Sequence, residues 1–121
     1  MSKPRINPVK WQPPGPAGKP PAHNLPDLTI VPVPGNGPED ALFVDDDLVT
    51  GLHDGRIVAL SADGWQIEVL ADTGGRPLGI EAHPDGLVIC DAERGLLLLH
   101  DGQLETLVGK GEHGLRVCNN A

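Results

Sequence analysis

Residues 37–71 of this 121-residue chain return in shortened form over residues 76–108. Pro38-Glu39-Asp40-Ala41 realigns with Pro77-Leu78-Gly79-Ile80 and Leu48-Val49-Thr50 with Leu87-Val88-Ile89, both at an offset of 39. Gly55 realigns with Gly95 at 40, and Ile67-Glu68-Val69-Leu70 with Leu104-Glu105-Thr106-Leu107 at 37. Four short apolar segments per copy, at a period near 40, fit the blade of a four-stranded β-propeller. Cys118-Asn119-Asn120-Ala121 then falls where Pro38-Glu39-Asp40-Ala41 stood, so the spacing predicts that a third blade begins at residue 117.

The strands are predicted at Ala41–Val44, Leu48–Leu52, Arg56–Leu60 and Gln66–Ala71 in the first copy. In the second they are predicted at Gly79–Ala82, Leu87–Cys90, Leu96–His100 and Leu104–Val108. Asp54-Gly55, Asp63-Gly64, Asp85-Gly86 and Asp101-Gly102 supply the turns, because glycine accepts the positive φ that tight hairpins need. Four such pairs at blade spacing leave no room for a helix. The fold class is therefore all-β, a partial propeller of two four-stranded blades plus the first strand of a third. A stack of two blades leaves sheet edges open, so the remaining blades are expected elsewhere and the stretch by itself is expected to be inactive.

Ahead of the repeat, residues 1–26 carry eight prolines, among them Pro13, Pro14 and Pro16. Proline fixes φ and donates no hydrogen bond, which predicts an extended or disordered lead. Pro13-Pro14-Gly15-Pro16 could dock on a proline-reading domain, and a plain spacer is the simpler reading. Residues 27–33, DLTIVPV, are predicted as a leading strand whose ladder partner lies outside the chain, with Pro32 suited only to an edge.

A net charge of −8 gives no reason to expect nucleic acid, since its binders present a basic patch. Cys90 and Cys118 lack metal-binding spacing and read as reduced, buried thiols. No apolar run is long enough to span a bilayer and no signal-peptide core is visible, so the expected location is the cytoplasm, without membrane attachment.

Glu39 and Asn119 hold equivalent places just before the innermost strands of their blades. Innermost strands surround the channel of a propeller, so residues at that position converge on its axis. A carboxylate and an amide oxygen meeting there suit calcium, which takes six to eight oxygen ligands. Equally open is that Glu39 faces solvent and Asn119 caps a turn. Leu78, the counterpart in the second blade, cannot ligate. Asp45-Asp46-Asp47 lacks the glycine and distal glutamate of a calcium loop and reads as an acidic hairpin turn. Gly109-Lys110-Gly111-Glu112-His113-Gly114 matches G-x-G-x-x-G, but β pattern follows where a dinucleotide site needs a helix; it reads as a crossover between blades. The histidines at 23, 53, 83, 100 and 113 have neither metal spacing nor a serine partner.

Gly37-Pro38-Glu39-Asp40, Thr50–Arg56, Gly75–Ile80 and Asp91–Leu96 together resemble the strictosidine-synthase-like family, within the superfamily of gluconolactonases, regucalcin and paraoxonases. That resemblance runs from about Gly35 to the last residue and implies a six-bladed propeller. It also implies a channel calcium held by a glutamate of the first blade and by asparagines and an aspartate of later ones, which places Glu39 and Asn119 as ligands. A second calcium would fall to Asp40 and Asn120, the latter standing where paraoxonases carry an aspartate. The paraoxonase catalytic histidine is replaced by Leu78, so that mechanism is not carried over. The activity implied for the complete ring is calcium-dependent hydrolysis of a lactone or ester. Alternatives are a non-catalytic scaffold that binds a ligand or partner, and an inactive truncated product.

Overall fold

The computed structural model describes residues 8–19, 21–109 and 114. Eight strands form two antiparallel sheets, and the described residues contain no α-helix. Sheet one is β1 (Ala41–Val44), β2 (Asp47–Gly51), β3 (Arg56–Leu60) and β4 (Ile67–Asp72). Sheet two is β5 (Pro77–His83), β6 (Gly86–Asp91), β7 (Gly95–His100) and β8 (Gln103–Val108). Each runs as a simple meander, every strand beside the next in sequence. The two sheets meet along β1 and β2 of the first and β5 of the second.

Hairpin registers explain the offsets in the sequence. Leu48 pairs with Leu60 in sheet one and Leu87 with Leu99 in sheet two, both members displaced by 39. The drop to 37 arises in the third hairpin. There residues 62–65 turn the chain in sheet one, where Ser61 N donates to Gln66 O, and only Asp101 and Gly102 do so in sheet two, between paired His100 and Gln103. Asp101 and Gly102 sit at φ 47° and 72°, the pair of positive values that a type I′ hairpin requires. A β-bulge also recurs, between Ile57 and Val58 in sheet one and between Leu96 and Leu97 in sheet two.

One equivalence inferred from the sequence shifts. The ladder keeps an offset of 39 through the second hairpin, which sets Arg56 against Gly95, because Leu52 N donates to Arg56 O where Asp91 pairs with Gly95. Gly55 lies in the turn one residue before β3, whereas Gly95 opens β7. Matching the two glycines therefore slips the alignment by one residue. Similarly, the β5–β6 turn is Pro84-Asp85, and Gly86 already pairs with His83.

Strand alternation sorts the apolar residues onto two faces. Val49, Ile57 and Ala59 of sheet one pack against Ile80, Leu87, Ile89, Leu97 and Leu99 of sheet two, with Leu42, Val44, Leu70 and Leu104 at the margins. The intervening Val58 and Leu60, with Leu52, point to the other side of sheet one. Val31 and Val33 cover them there. The segment expected as a leading strand over 27–33 makes no ladder pairing. Pro32 removes one donor in the middle of it, and the segment is held by side-chain packing and by Arg56, whose Nη2 donates to Pro34 O at 2.8 Å. The strand expected at 117–121 and most of the crossover loop lie outside the described residues. No helix among the described residues is long and apolar enough to cross a membrane.

Candidate functional site

Two adjacent acids, Glu39 and Asp40, stand immediately before β1 where sheet one meets β5. They take different partners. Asp40 is built into the backbone on both sides of the junction. Its Oδ1 accepts from Ala41 N at 2.9 Å and its Oδ2 from Ile80 N of β5 at 3.0 Å. Its own carbonyl accepts the hydroxyl of buried Thr50 at 2.6 Å. An acidic residue before an inner strand thus joins one sheet to the next.

Glu39 reaches across the same junction by its side chain, its Oε1 accepting from Arg76 Nη2 at 2.7 Å. Arg76 is set in place by a two-way backbone clamp. Arg76 N donates to Asp91 Oδ1 at 3.1 Å, and Arg76 O accepts from Ala92 N at 2.9 Å. Asp91 ends β6 with no exposed surface, and the same Oδ1 also takes the amides of Glu93 at 2.8 Å and Arg94 at 3.0 Å. Burial pushes the Asp91 carboxyl up, but the neighbouring Thr73 hydroxyl and these three amides outweigh it and hold the pKa below the ordinary aspartate value. Arg94 Nη1, donating to Thr73 O at 2.8 Å, braces the same loop from behind.

Sequence reasoning singled out Glu39 and Asp40 but missed Arg76 and Asp91. A signal was present. Arg76 lies two residues before Leu78, the position that matches Glu39 at the constant offset of 39, so it belongs to the same rim. Asp91 corresponds in register to Leu52, an apolar residue, which hid its role.

A calcium ion needs six to eight oxygens. The rim offers Glu39, with one oxygen already on a guanidinium, and Asp40, with both oxygens on amides. Among the described residues no three His, Cys, Asp or Glu side chains gather at metal-binding distance. Glu39 thus fits one ligand position, and Asp40 is spoken for by the backbone. Asn119 and Asn120, the expected ligands from the next blade, lie outside the described residues. Cys90 makes no disulfide and sits half-buried on the face of sheet two turned away from sheet one.

The Glu39–Arg76 side chains are 40% and 41% exposed, and pairs so solvated contribute at most about 1 kcal/mol. Arg76→Gln is therefore expected to change the free energy of urea unfolding by less than about 1 kcal/mol. A larger loss in the melt would make the pair a structural strut rather than a solvent-facing contact.

Two meandering four-stranded sheets, joined at their inner strands and carrying charged residues on that junction, define a β-propeller class of protein. Comparison with known proteins gives the more particular assignment. Residues 21–60 match the family described as strictosidine synthase-like, N-terminal. The adipocyte plasma membrane-associated protein of Rattus norvegicus is 40% identical over 75 residues, covering 50% of this chain and 19% of its own. Protein strictosidine synthase-like 6 of Arabidopsis thaliana is 37% identical over 89 residues, covering 67% and 24%. The human adipocyte plasma membrane-associated protein is 39% identical over 74 residues, covering 50% and 17%. The chain is strictosidine-synthase-like, and it spans about a fifth of the length of these curated relatives.

Proposed function

We propose that residues 37–108 supply two sectors of a strictosidine-synthase-like propeller whose complete channel hydrolyses a small lactone or ester with calcium, in the cytoplasm. The observation that carries this reading is the position of Glu39, a half-exposed carboxylate at the start of an inner strand, on the junction between two sheets. Glu39 would be one ligand and Asn119 another, with Asn120 beside it, while Asp40, both of whose oxygens accept backbone amides, would frame the site without holding an ion. Bound calcium would polarise the carbonyl as a Lewis acid and orient water. The chain's own part is to fix the rim: Asp40 ties β1 to β5, and Asp91 sets the backbone from which Arg76 reaches Glu39.

The ion pair itself favours a second reading, a propeller that binds a ligand or partner without catalysis. A guanidinium on Glu39 already neutralises the charge that would attract a cation.

The two readings part in a full-length form that carries these residues. If calcium binds, a concentration one hundred times Kd stabilises the fold by about 2.7 kcal/mol. The calcium-dependent rise in Tm is then expected to vanish in Glu39→Gln, together with turnover on a panel of lactones and aryl esters. A rise of equal size in Glu39→Gln removes Glu39 from the site. No response to calcium in the parent protein leaves the scaffold reading.

A further inference from the structure

The region matched by the family begins at residue 21, and the segment ahead of it carries a pattern of its own. Polyproline II has three residues per turn and rises about 3.1 Å per residue, so every third side chain falls on one edge. Lys10, Pro13, Pro16 and Lys19 are spaced by three. On a polyproline helix they form a single ridge of two proline rings with an ammonium group at each end, about 28 Å long.

The surroundings suit such a helix. Residues 8–19 are exposed throughout and join no strand. Gly15 and Gly18, the two positions where the run could turn back, are absent from the positive-φ glycines, and both have open space around them. Val9 and Trp11 are 90% and 75% exposed, apolar surface that the two sheets do nothing to cover. Charge separates this lead from the rest of the chain: residues 1–26 hold Lys3, Arg5, Lys10 and Lys19, while all 17 acidic residues come later.

We propose that Lys10–Pro16, Lys-Trp-Gln-Pro-Pro-Gly-Pro, is a docking ligand for an SH3-type domain, independent of the propeller's channel chemistry. Such a domain presents an aromatic-lined groove to a preformed polyproline helix, which costs little ordering entropy to bind. Pro13 and Pro16 enter successive slots of the groove. Lys10, one turn further along the same ridge, meets acidic side chains at its end. Trp11 lies off the ridge, flanking the contact.

The test uses the full chain with Trp65→Phe, so that Trp11 is the sole tryptophan reporter, titrated with a panel of purified SH3 domains that accept a basic residue ahead of the prolines. WW domains form the comparison arm. The expected result is saturable binding with a Kd below about 100 μM to at least one SH3 domain. Pro13→Ala with Pro16→Ala should abolish it, Lys10→Glu should weaken it at least tenfold, and off-ridge Pro21→Ala should leave it unchanged. These substitutions lie outside both sheets, so failure to fold does not confuse the outcome. Absence of binding across the SH3 panel, binding that survives the double proline substitution, or binding to WW domains alone would each overturn the proposal.

Discussion

Alanine at Gly95 is expected to undo sheet two. Gly95 opens β7 at φ 93°, and a Cβ there would land on the carbonyl oxygen of Val108, with Gly109 O and Cα at 3.0 and 3.1 Å. Every one of those atoms is backbone, so no side chain can swing aside. The alternative is for β7 and β8 to part beside the bulge that already interrupts their pairing. The φ penalty alone is about 1–2 kcal/mol, and separating the strands adds the exposure of Leu97 and Leu99, both in the shared core. A loss above about 4 kcal/mol is exceptional for one substitution. Against roughly 0.05–0.15 kcal/mol of stability per residue it would be a large fraction of the total for a domain this small.

Gly102→Ala supplies the contrast. Gly102 has a similar positive φ of 72°, but nothing lies within 4 Å of its would-be Cβ. It should cost only the backbone penalty, about 1–2 kcal/mol. Urea melts of the two variants separate strain from collision. Equal losses would mean that positive φ governs both positions and that the Val108 carbonyl can yield.

The glycine also illustrates what the sequence could and could not convey. Eight strands were legible because the hairpins are short and all but the β6–β7 one, which turns through Ala92-Glu93-Arg94, carry Asp-Gly, Pro-Asp or Asp-Asp in the turn, and because apolar residues alternate between two buried faces. The offsets of 39 and 37 were visible as numbers, and their origin in a third hairpin two residues longer in sheet one follows from the ladder. Setting Gly55 opposite Gly95 failed because glycine marks two different places in the hairpin. Both have a positive φ and crowded surroundings, but Gly55 ends the β2–β3 turn beside Asp72 and Gly74, whereas Gly95 already opens β7 against the Val108 carbonyl. Residues 27–33, expected to find no ladder partner within the chain, make none here, and Val31 and Val33 pack by their side chains on Leu52, Val58 and Leu60.

The rim was half legible. Glu39 and Asp40 announced themselves by position before an inner strand. What each does depends on atoms far away in sequence: Ile80 N for Asp40 and Arg76 for Glu39, the latter a pair 37 residues apart. Residue type and spacing name a carboxylate at the junction but cannot say whether a backbone amide, a guanidinium or an ion will face it. That choice is made by the loop after β6, where a single buried carboxylate organises three amides.

Removing that carboxylate should therefore cost stability and loosen the rim together. Asp91→Ala strands the amides of Arg76, Glu93 and Arg94 around a buried gap. Hydrogen bonds to a charged acceptor contribute about 1.5–3 kcal/mol each, and unsatisfied buried donors cost about 1–3. Allowing for partial relaxation, the expected loss is about 3–5 kcal/mol, or at least about 12 °C in Tm for a domain of this size. Asp91→Asn keeps an acceptor at Oδ1 but replaces the charged Oδ2, buried without a hydrogen bond of good geometry and with the Thr73 hydroxyl as its polar neighbour, by an amide nitrogen, so a loss of about 1–3 kcal/mol is expected. The two variants differ in their response to acid. Because the folded-state pKa of Asp91 lies below its unfolded value of about 3.9, its charge-dependent contribution is complete above that value and is lost as pH falls through the folded one. Parent and Asp91→Asn melts should thus differ by a constant amount from pH 7 to about 5 and converge below about 4. A gap that stays constant into acid would mean that the carboxylate acts by shape alone. Since Arg76 hangs from this clamp by its backbone on both sides, Asp91→Ala also frees Glu39 from its resident guanidinium. If calcium is the true occupant of the rim, that variant should bind it no worse than the parent despite its lower Tm, and weaker binding would mean that the arginine arranges the site.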